Sequence, residues 1–181
     1  MAWICGWRHS RGFGVQSSTD YGFIQDIINE RLPYYAYDEL YNKHSGITRI
    51  QRKKGELYLR LANRFQPATA RIINAGDYCR DYISAGCRRT EVLIEAEVGT
   101  VADMVIARLD EDAFDEIYGY ITRCSSPTSV VVVEDIHLWR NRRLWKVLRA
   151  DGHVRIVYDL YNLAIMLFDP SRYRQYYKVN L

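Results

Sequence analysis

The chain has 181 residues, a mass of 21.3 kDa and a formal net charge of +3, with 25 Lys and Arg against 22 Asp and Glu. Hydrophobic residues make up 48% and charged residues 26%, which is the composition of a globular protein and excludes a disordered, collagen-like or disulfide-scaffold chain. The length predicts a single domain over residues 1–181. The near balance of charge does not by itself require a nucleic acid or an anionic membrane as partner.

The cysteines and the apolar segments predict a cytoplasmic protein. Four cysteines are scattered along the chain at spacings that fit neither a CxxC motif nor a zinc knuckle: Cys5, Cys79, Cys87 and Cys124. We therefore expect reduced thiols and no metal site. No apolar stretch reaches the ~18 residues of a membrane span, and the first residues lack the pattern of a signal peptide, so no membrane association is expected.

The first third of the chain, residues 1–66, predicts helices. Ser18, Thr19 or Asp20 can cap a helix that Pro33 ends, because a short oxygen side chain accepts the free N–H groups of a first turn. A short helix is predicted over 34–41 and a longer one over 52–65. The basic run Arg52, Lys53 and Lys54 stands at the start of the longer helix and is expected to be exposed.

Residues 67–181 predict a sheet with interleaved helices. Apolar runs over 71–75, 91–96, 102–107 and 129–135 are typical of buried parallel strands, and the β-branched run from Val130 to Val133 predicts a central one. Residues 77–88 suggest a short, poorly formed helix or a loop, while 110–123 and 139–149 are predicted helices. The runs 154–159 and 163–168 must pair as an antiparallel hairpin, because three residues are too few for a parallel crossover. We expect this hairpin at one edge of the sheet.

These elements predict an α/β fold. We expect a Rossmann-like, mostly parallel sheet with a C-terminal antiparallel hairpin, preceded by N-terminal helices that cover one side or form a dimer contact. The apolar residues Trp3, Ile4, Trp7 and Phe13 precede the first predicted helix. Their density predicts either packing onto the helices of the sheet or a homodimer contact.

Several short motifs carry a resemblance to a known family. Phe13-Gly14-Val15-Gln16-Ser17, Pro33-Tyr34-Tyr35-Ala36-Tyr37, Val133-Glu134-Asp135-Ile136-His137-Leu138-Trp139 and Tyr176-Tyr177-Lys178-Val179 occur in that order. Their order, and a parallel sheet closed by a hairpin, resemble class I S-adenosylmethionine-dependent methyltransferases, in particular methyltransferase-like proteins of the Bacteroidetes type. The resemblance covers most of the chain.

The resemblance implies a cofactor site at the ends of the strands. It places Asn74 and Gly76 in the turn after the first strand and makes Glu95 the carboxylate that binds the ribose; a polar strand end facing solvent is the other interpretation of Glu95. Three residues depart from the family pattern. Tyr78 and Arg80 follow the only glycine of the turn, and Arg108 stands where the family has an Asp. Residues 96–129 also hold one strand–helix unit fewer than a full methyltransferase sheet.

Asp135 and His137 follow the central strand, where open α/β sheets bind their ligands. With Glu134 they could hold a cofactor, coordinate a divalent ion or act as acid and base. Cation-dependent methyltransferases have a metal-ligating Asp near this position, but Arg108 supplies no second carboxylate. A structural or helix-capping Asp135 is the competing interpretation, and no catalytic or metal-ligating residue is assigned.

The predicted helix over 139–149 is basic and carries two tryptophans. Arg142, Lys146 and Arg149 share its outer face, which could contact phosphates or could be an ordinary solvated face. The 15 tyrosines allow the same two interpretations, as stacking platforms or as core residues.

Three functions follow as hypotheses. The first in preference is a non-catalytic methyltransferase-like protein, a pseudoenzyme that acts as a binding or interaction module. The alternative is an active S-adenosylmethionine-dependent methyltransferase with a small-molecule or other acceptor that the sequence does not identify. The third is nucleic-acid binding through the basic helix.

Overall fold

The computed structural model describes Val15 and residues 17–94 and 101–180. The helices are α1 (Ser18–Phe23), which continues into a π-helical segment (Ile24–Ile28), α2 (Ala36–Lys43), α3 (Arg49–Phe65), α4 (Tyr78–Gly86), α5 (Glu111–Arg123) and α6 (Arg142–Leu148), which a 3₁₀ turn (Trp139–Asn141) precedes. The strands are β1 (Thr69–Ile73), β2 (Glu91–Leu93), β3 (Met104–Arg108), β4 (Val130–Glu134), β5 (Ile156–Asp159), β6 (Leu163–Leu167) and β7 (Gln175–Lys178).

The strands form one seven-stranded sheet in the order β2-β1-β3-β4-β6-β5-β7. Strands β1 to β4 are mutually parallel, and β6 runs antiparallel to both β4 and β5. The predicted Rossmann-like α/β fold, its four parallel strands and the central position of β4 are therefore confirmed. On the β2 side, β2 is the outermost strand of the described residues.

Two elements differ from the sequence prediction. The hairpin of β5 and β6 is not the edge of the sheet, because β7 pairs in parallel with β5 on its outer side. Residues 78–86 form a regular helix, α4, although the sequence suggested a loop or a poorly formed helix. Its buried face, which includes Tyr82 and Ile83, supplies the packing energy that a short isolated helix lacks.

The core lies on both faces of the sheet. Val130 and Val132 face the helices α1 to α4, whereas Val131 and Val133 face α5 and α6. Alternate side chains of a strand point to opposite faces, so a strand covered on both sides must be apolar throughout. This explains the continuous valine run and places the N-terminal helices against one face.

Helices α3 and α4 pack closely against each other on the face of the sheet that α1 to α4 cover. Helix α3 begins with a capping box, in which Thr48 and Gln51 each bond the other's backbone N–H. A Cβ atom on Gly86 would lie 2.2 Å from the carbonyl oxygen of Leu59, so only glycine allows this contact. The backbones of the two helices are therefore in direct contact at Gly86.

A buried carboxylate joins the first helix to the last strands. Asp20 is 1% exposed and accepts hydrogen bonds from the hydroxyl groups of Tyr158 and Tyr177 (3.0 Å), while Arg172 lies 2.8 Å away. Burial alone would raise the pKa of Asp20, but the Tyr158 and Arg172 donors outweigh it and hold the pKa below its usual value. The Asp20 carboxylate is therefore ionised and structural.

Cys79 and Cys87 are buried and form no disulfide bond among the described residues. Within the described ranges, no helix has the length and apolar character needed to cross a bilayer. The predictions for Cys5 and for the apolar residues Trp3, Ile4, Trp7 and Phe13 lie outside the described residues.

Candidate functional site

The ends of three parallel strands bring the predicted site residues to one edge of the sheet. Ile73 of β1 is paired with Ala107 of β3, and Arg108 is paired with Glu134 of β4. The carboxyl-terminal ends of these parallel strands are the usual ligand-binding position in open α/β sheets, and we call them the carboxyl edge. Four polar side chains stand there: Asn74, Arg108, Glu134 and Asp135.

Asn74 links the end of β1 to the start of α5. Its backbone is left-handed (φ 52°), a conformation that Asn tolerates better than most residues. Its side-chain amide donates to Asp110, and Asp110 also accepts the N–H of Ala113 at 2.8 Å as the N-cap of α5. The Asn74 side chain is thus held by an internal partner.

Tyr78 covers the turn that the resemblance assigns to the cofactor. A Cβ atom on Gly76 would lie 2.8 Å from Cε1 of the Tyr78 ring, so the ring rests directly on the glycine. Tyr78 is 5% exposed. Burial, followed by the charge of Glu134, raises the pKa of Tyr78 far above its ordinary value, and the same two causes raise the pKa of the adjacent Cys79 to about 12. Both groups are neutral.

Glu134 forms a buried ion pair with α3. The Nζ atom of Lys54 lies 2.7 Å from Glu134 Oε2, and the Tyr58 hydroxyl donates a short hydrogen bond to the other carboxylate oxygen. Glu134 and Lys54 are almost fully buried, and Tyr58 completely so. Burial and the neighbouring Glu134 charge raise the pKa of Tyr58 well above its ordinary value, so its hydroxyl keeps the proton that it donates.

Asp135 completes a group of two carboxylates and two cations. Lys54 Nζ lies 3.6 Å from one carboxylate oxygen of Asp135, and Arg108 Nε lies 3.9 Å from the other. The Asp135 backbone is left-handed (φ 61°). Its carbonyl accepts from the Asn141 amide at 3.0 Å, and its N–H donates to the carbonyl of Asn162 at 2.8 Å. Its side chain caps neither the 3₁₀ turn nor α6, so helix capping is not its role.

His137 stands beside the carboxyl edge against a buried carboxylate. Its Nε2 atom lies 2.8 Å from Asp159, which is 3% exposed and also accepts from the Tyr176 hydroxyl and the N–H of Tyr161. The His137 side chain is 38% exposed. A half-exposed imidazole oriented by a carboxylate can exchange a proton with a bound molecule.

Side chains of the chain itself contact the turn and the strand ends where the resemblance places the cofactor. Gly76 is covered by an aromatic ring, and the buried Glu134 carboxylate faces Lys54 and Tyr58. The partly exposed Asp135 carboxylate lies near Lys54 and Arg108. The described ranges contain no group of three or more metal-ligating side chains. Glu95, the predicted ribose ligand, lies outside the described residues.

Sequence reasoning missed the side chains that fill the edge from α3. It expected Lys54 to be exposed at the start of a helix, and this is wrong: Lys54 is 5% exposed, whereas Lys53 beside it is exposed. The available signal was helical spacing. Lys54, Leu57, Tyr58 and Leu61 follow one another at intervals of three, one and three residues, which is the apolar face of α3.

No protein-family model matches the chain, and no curated protein matches its sequence. Among solved structures, the S-adenosylhomocysteine-bound methyltransferase of Podospora anserina matches with a TM-score of 0.54 and 10% identity, over 85% of this chain and 96% of that chain. A candidate O-methyltransferase from Klebsiella pneumoniae matches with a TM-score of 0.51 and 11% identity, over 84% of this chain and 97% of that chain. A protein from Corynebacterium glutamicum matches with a TM-score of 0.50 and 10% identity, over 84% of this chain and 97% of that chain. The chain therefore has the Rossmann-like fold of class I S-adenosylmethionine-dependent methyltransferases.

Proposed function

We propose that this methyltransferase-fold protein is non-catalytic and acts as a binding or interaction module. The observation that carries the proposal is the carboxyl edge, where Lys54 and Tyr58 saturate Glu134 and the Tyr78 ring covers Gly76. The groups that would face a cofactor instead hold α3 and α4 against the sheet. The edge has become part of the structural core.

Energetics support this interpretation. A micromolar ligand must gain about 8 kcal/mol on binding. A bidentate contact from Glu95 to a ribose would contribute about 1.5–3 kcal/mol. Separating a buried ion pair such as Lys54–Glu134 costs on the order of 3–5 kcal/mol, because each charge loses its partner without regaining water. A ligand that required the Glu134 carboxylate would have to offset this cost, which is at least as large as the gain from Glu95.

Isothermal titration with S-adenosylmethionine and S-adenosylhomocysteine tests the proposal. We expect a dissociation constant above roughly 0.1 mM for both, equivalent to less than about 5.5 kcal/mol. The variants Glu95→Ala and Glu91→Ala form a matched pair, since Glu91 is an exposed carboxylate at the start of β2. Micromolar binding that Glu95→Ala abolishes and Glu91→Ala retains would show that the chain binds the cofactor and would contradict the proposal.

Active methyl transfer is the second candidate, and the pairing of His137 with Asp159 favours it. The half-exposed imidazole of His137 stands beside the carboxyl edge and could remove a proton from an acceptor. A turnover assay that measures S-adenosylhomocysteine release in the presence of candidate acceptors tests it. His137→Ala should then reduce release by about 100-fold or more. His153→Ala is the control, because His153 pairs with Asp151 on the exposed surface.

A further inference from the structure

One side of the α6 region is an exposed, cationic surface. Trp139, Arg142, Lys146 and Arg149 follow one another at intervals of three, four and three residues, so they line one side of the 3₁₀ turn and α6 over about 15 Å. Trp139 is 83% exposed, and Arg142 and Lys146 are exposed. We call these four residues, together with Arg174 of the segment before β7, the basic face.

The charges of the basic face lack counter-charges. Residues 136–150 contain five Lys and Arg and no Asp or Glu. Within the described part of the chain, Arg142 and Lys146 form no ion pair. The two carboxylates that next follow α6 in the chain are already engaged, Asp151 by His153 and Asp159 by His137 and Tyr176. A polyanion would therefore meet uncompensated positive charge.

The basic face borders a groove between α6 and the edge strand β7. The groove has a volume of about 430 Å³, and no carboxylate lines it; its lining includes Lys146, Arg149, Arg174 and Tyr176. The Arg149 guanidinium lies 5.2 Å from the centroid of the Tyr176 ring, and Arg174 donates to the carbonyl of Arg149 at 2.6 Å. These contacts hold two guanidinium groups in place before any ligand binds, which lowers the entropy cost of binding.

The chemistry of the basic face points to one class of partner. Guanidinium groups bind phosphates in a bidentate manner, and an exposed indole provides a face on which an unpaired base can stack. A duplex would keep its bases stacked on one another and offer none to Trp139. An acidic peptide would use the cations but gives no reason for the 83% exposure of Trp139. We propose that the basic face binds single-stranded nucleic acid, which names the partner of the interaction module and so rests on the proposed function.

Fluorescence anisotropy with labelled oligo-dT and oligo-U of about 12 nucleotides tests the proposal. We expect binding at about 50 mM salt that weakens toward 200 mM, with a slope of log K against log salt of about −2 to −3 for three or four phosphates. Arg142→Ala with Lys146→Ala should lower the affinity at least tenfold and reduce the slope by about 1.4. Trp139→Ala should lower the affinity about 5- to 100-fold and leave the slope unchanged.

The double variant Arg88→Ala with Arg89→Ala is the charge-matched control, because both arginines are exposed before β2, outside the basic face. An equal loss of affinity in this control would overturn the proposal, as would polyglutamate that competes as well as the oligonucleotide at equal charge. Absence of oligonucleotide binding at about 50 mM salt would overturn it as well. Titration of the same samples with S-adenosylhomocysteine separates the two proposals: tight binding of that ligand contradicts the non-catalytic function alone, and absence of oligonucleotide binding contradicts the basic face alone.

Discussion

The carboxyl edge and the basic face both concentrate charge, but they satisfy it in opposite ways. At the carboxyl edge, Lys54 and Arg108 are matched by Glu134 and Asp135 within the chain. On the basic face, Arg142 and Lys146 point to solvent with no counter-charge among the described residues. The first arrangement holds α3 against the sheet, whereas the second leaves its charges in solvent. The position of the counter-charge, more than the number of charges, distinguishes the two regions.

Removal of one partner at the carboxyl edge should have the largest effect. Lys54→Met leaves Glu134, which is 3% exposed, without its cation, so the free energy of unfolding should fall by about 3–5 kcal/mol. Urea denaturation measures this change. The double variant Lys54→Met with Glu134→Leu should recover most of it, because a well-packed apolar pair replaces the ion pair. A loss below about 1 kcal/mol in the single variant would show that the edge is not structural.

The Asp20 network should show a similar but smaller effect with a pH dependence. Asp20→Asn should lower the free energy of unfolding by about 1.5–3 kcal/mol, because it removes a charged acceptor from Tyr158, Tyr177 and Arg172. The pKa of Asp20 is lowered in the folded state, so its contribution is complete above the unfolded value of about 3.9 and is lost as the pH falls through the folded value. The difference between the wild type and the variant should therefore shrink below about pH 4, and a constant difference would contradict the assignment.

The close packing of α4 against α3 gives the third prediction. Gly86→Ala places a methyl group 2.2 Å from the Leu59 carbonyl oxygen and should cost about 1–3 kcal/mol as α3 and α4 separate. Gly46→Ala is the matched control, since a Cβ atom there has no neighbour within 4 Å. Thermal unfolding of the two variants should separate them, and equal midpoints would disagree with the close approach of the helices.

The smallest stability change should come from the basic face. Arg142→Ala with Lys146→Ala should alter the free energy of unfolding by less than about 0.5 kcal/mol, because both side chains are exposed and form no ion pair with a described residue. Urea denaturation beside the Lys54 variant makes the comparison direct. A loss above about 1 kcal/mol would place the two cations among the structural groups.

The strands at the centre of the sheet were predictable because a strand that is buried on both faces consists of apolar residues. The run Val130–Val133 has no polar residue, as expected of a strand that is covered on both faces. Strand β7 was not predicted as a strand, since Gln175–Lys178 is four residues long and polar at both ends. It pairs because β5 offers a free edge, and that edge exists only in the assembled sheet.

The candidate site was predictable in place but not in content. The order of strands and helices in the sequence was enough to predict that Asn74 and Asp135 lie at the same edge of the sheet. The filling of that edge by Lys54 and Tyr58 depends on how α3 lies across the sheet, and helical spacing alone does not say whether a lysine in the stripe finds a carboxylate. Glu134 is 80 residues away from Lys54 along the chain, so no local pattern could pair them.

The Asp20 network also has a consequence for the folding kinetics. Its hydrogen bond to Tyr177 joins residues 157 positions apart, so it can close only after the intervening sheet has assembled. Interactions that are absent from the folding transition state act on the unfolding rate. Asp20 should therefore lengthen the lifetime of the folded protein without accelerating its formation, and stopped-flow experiments on Asp20→Asn should show faster unfolding with an unchanged refolding limb.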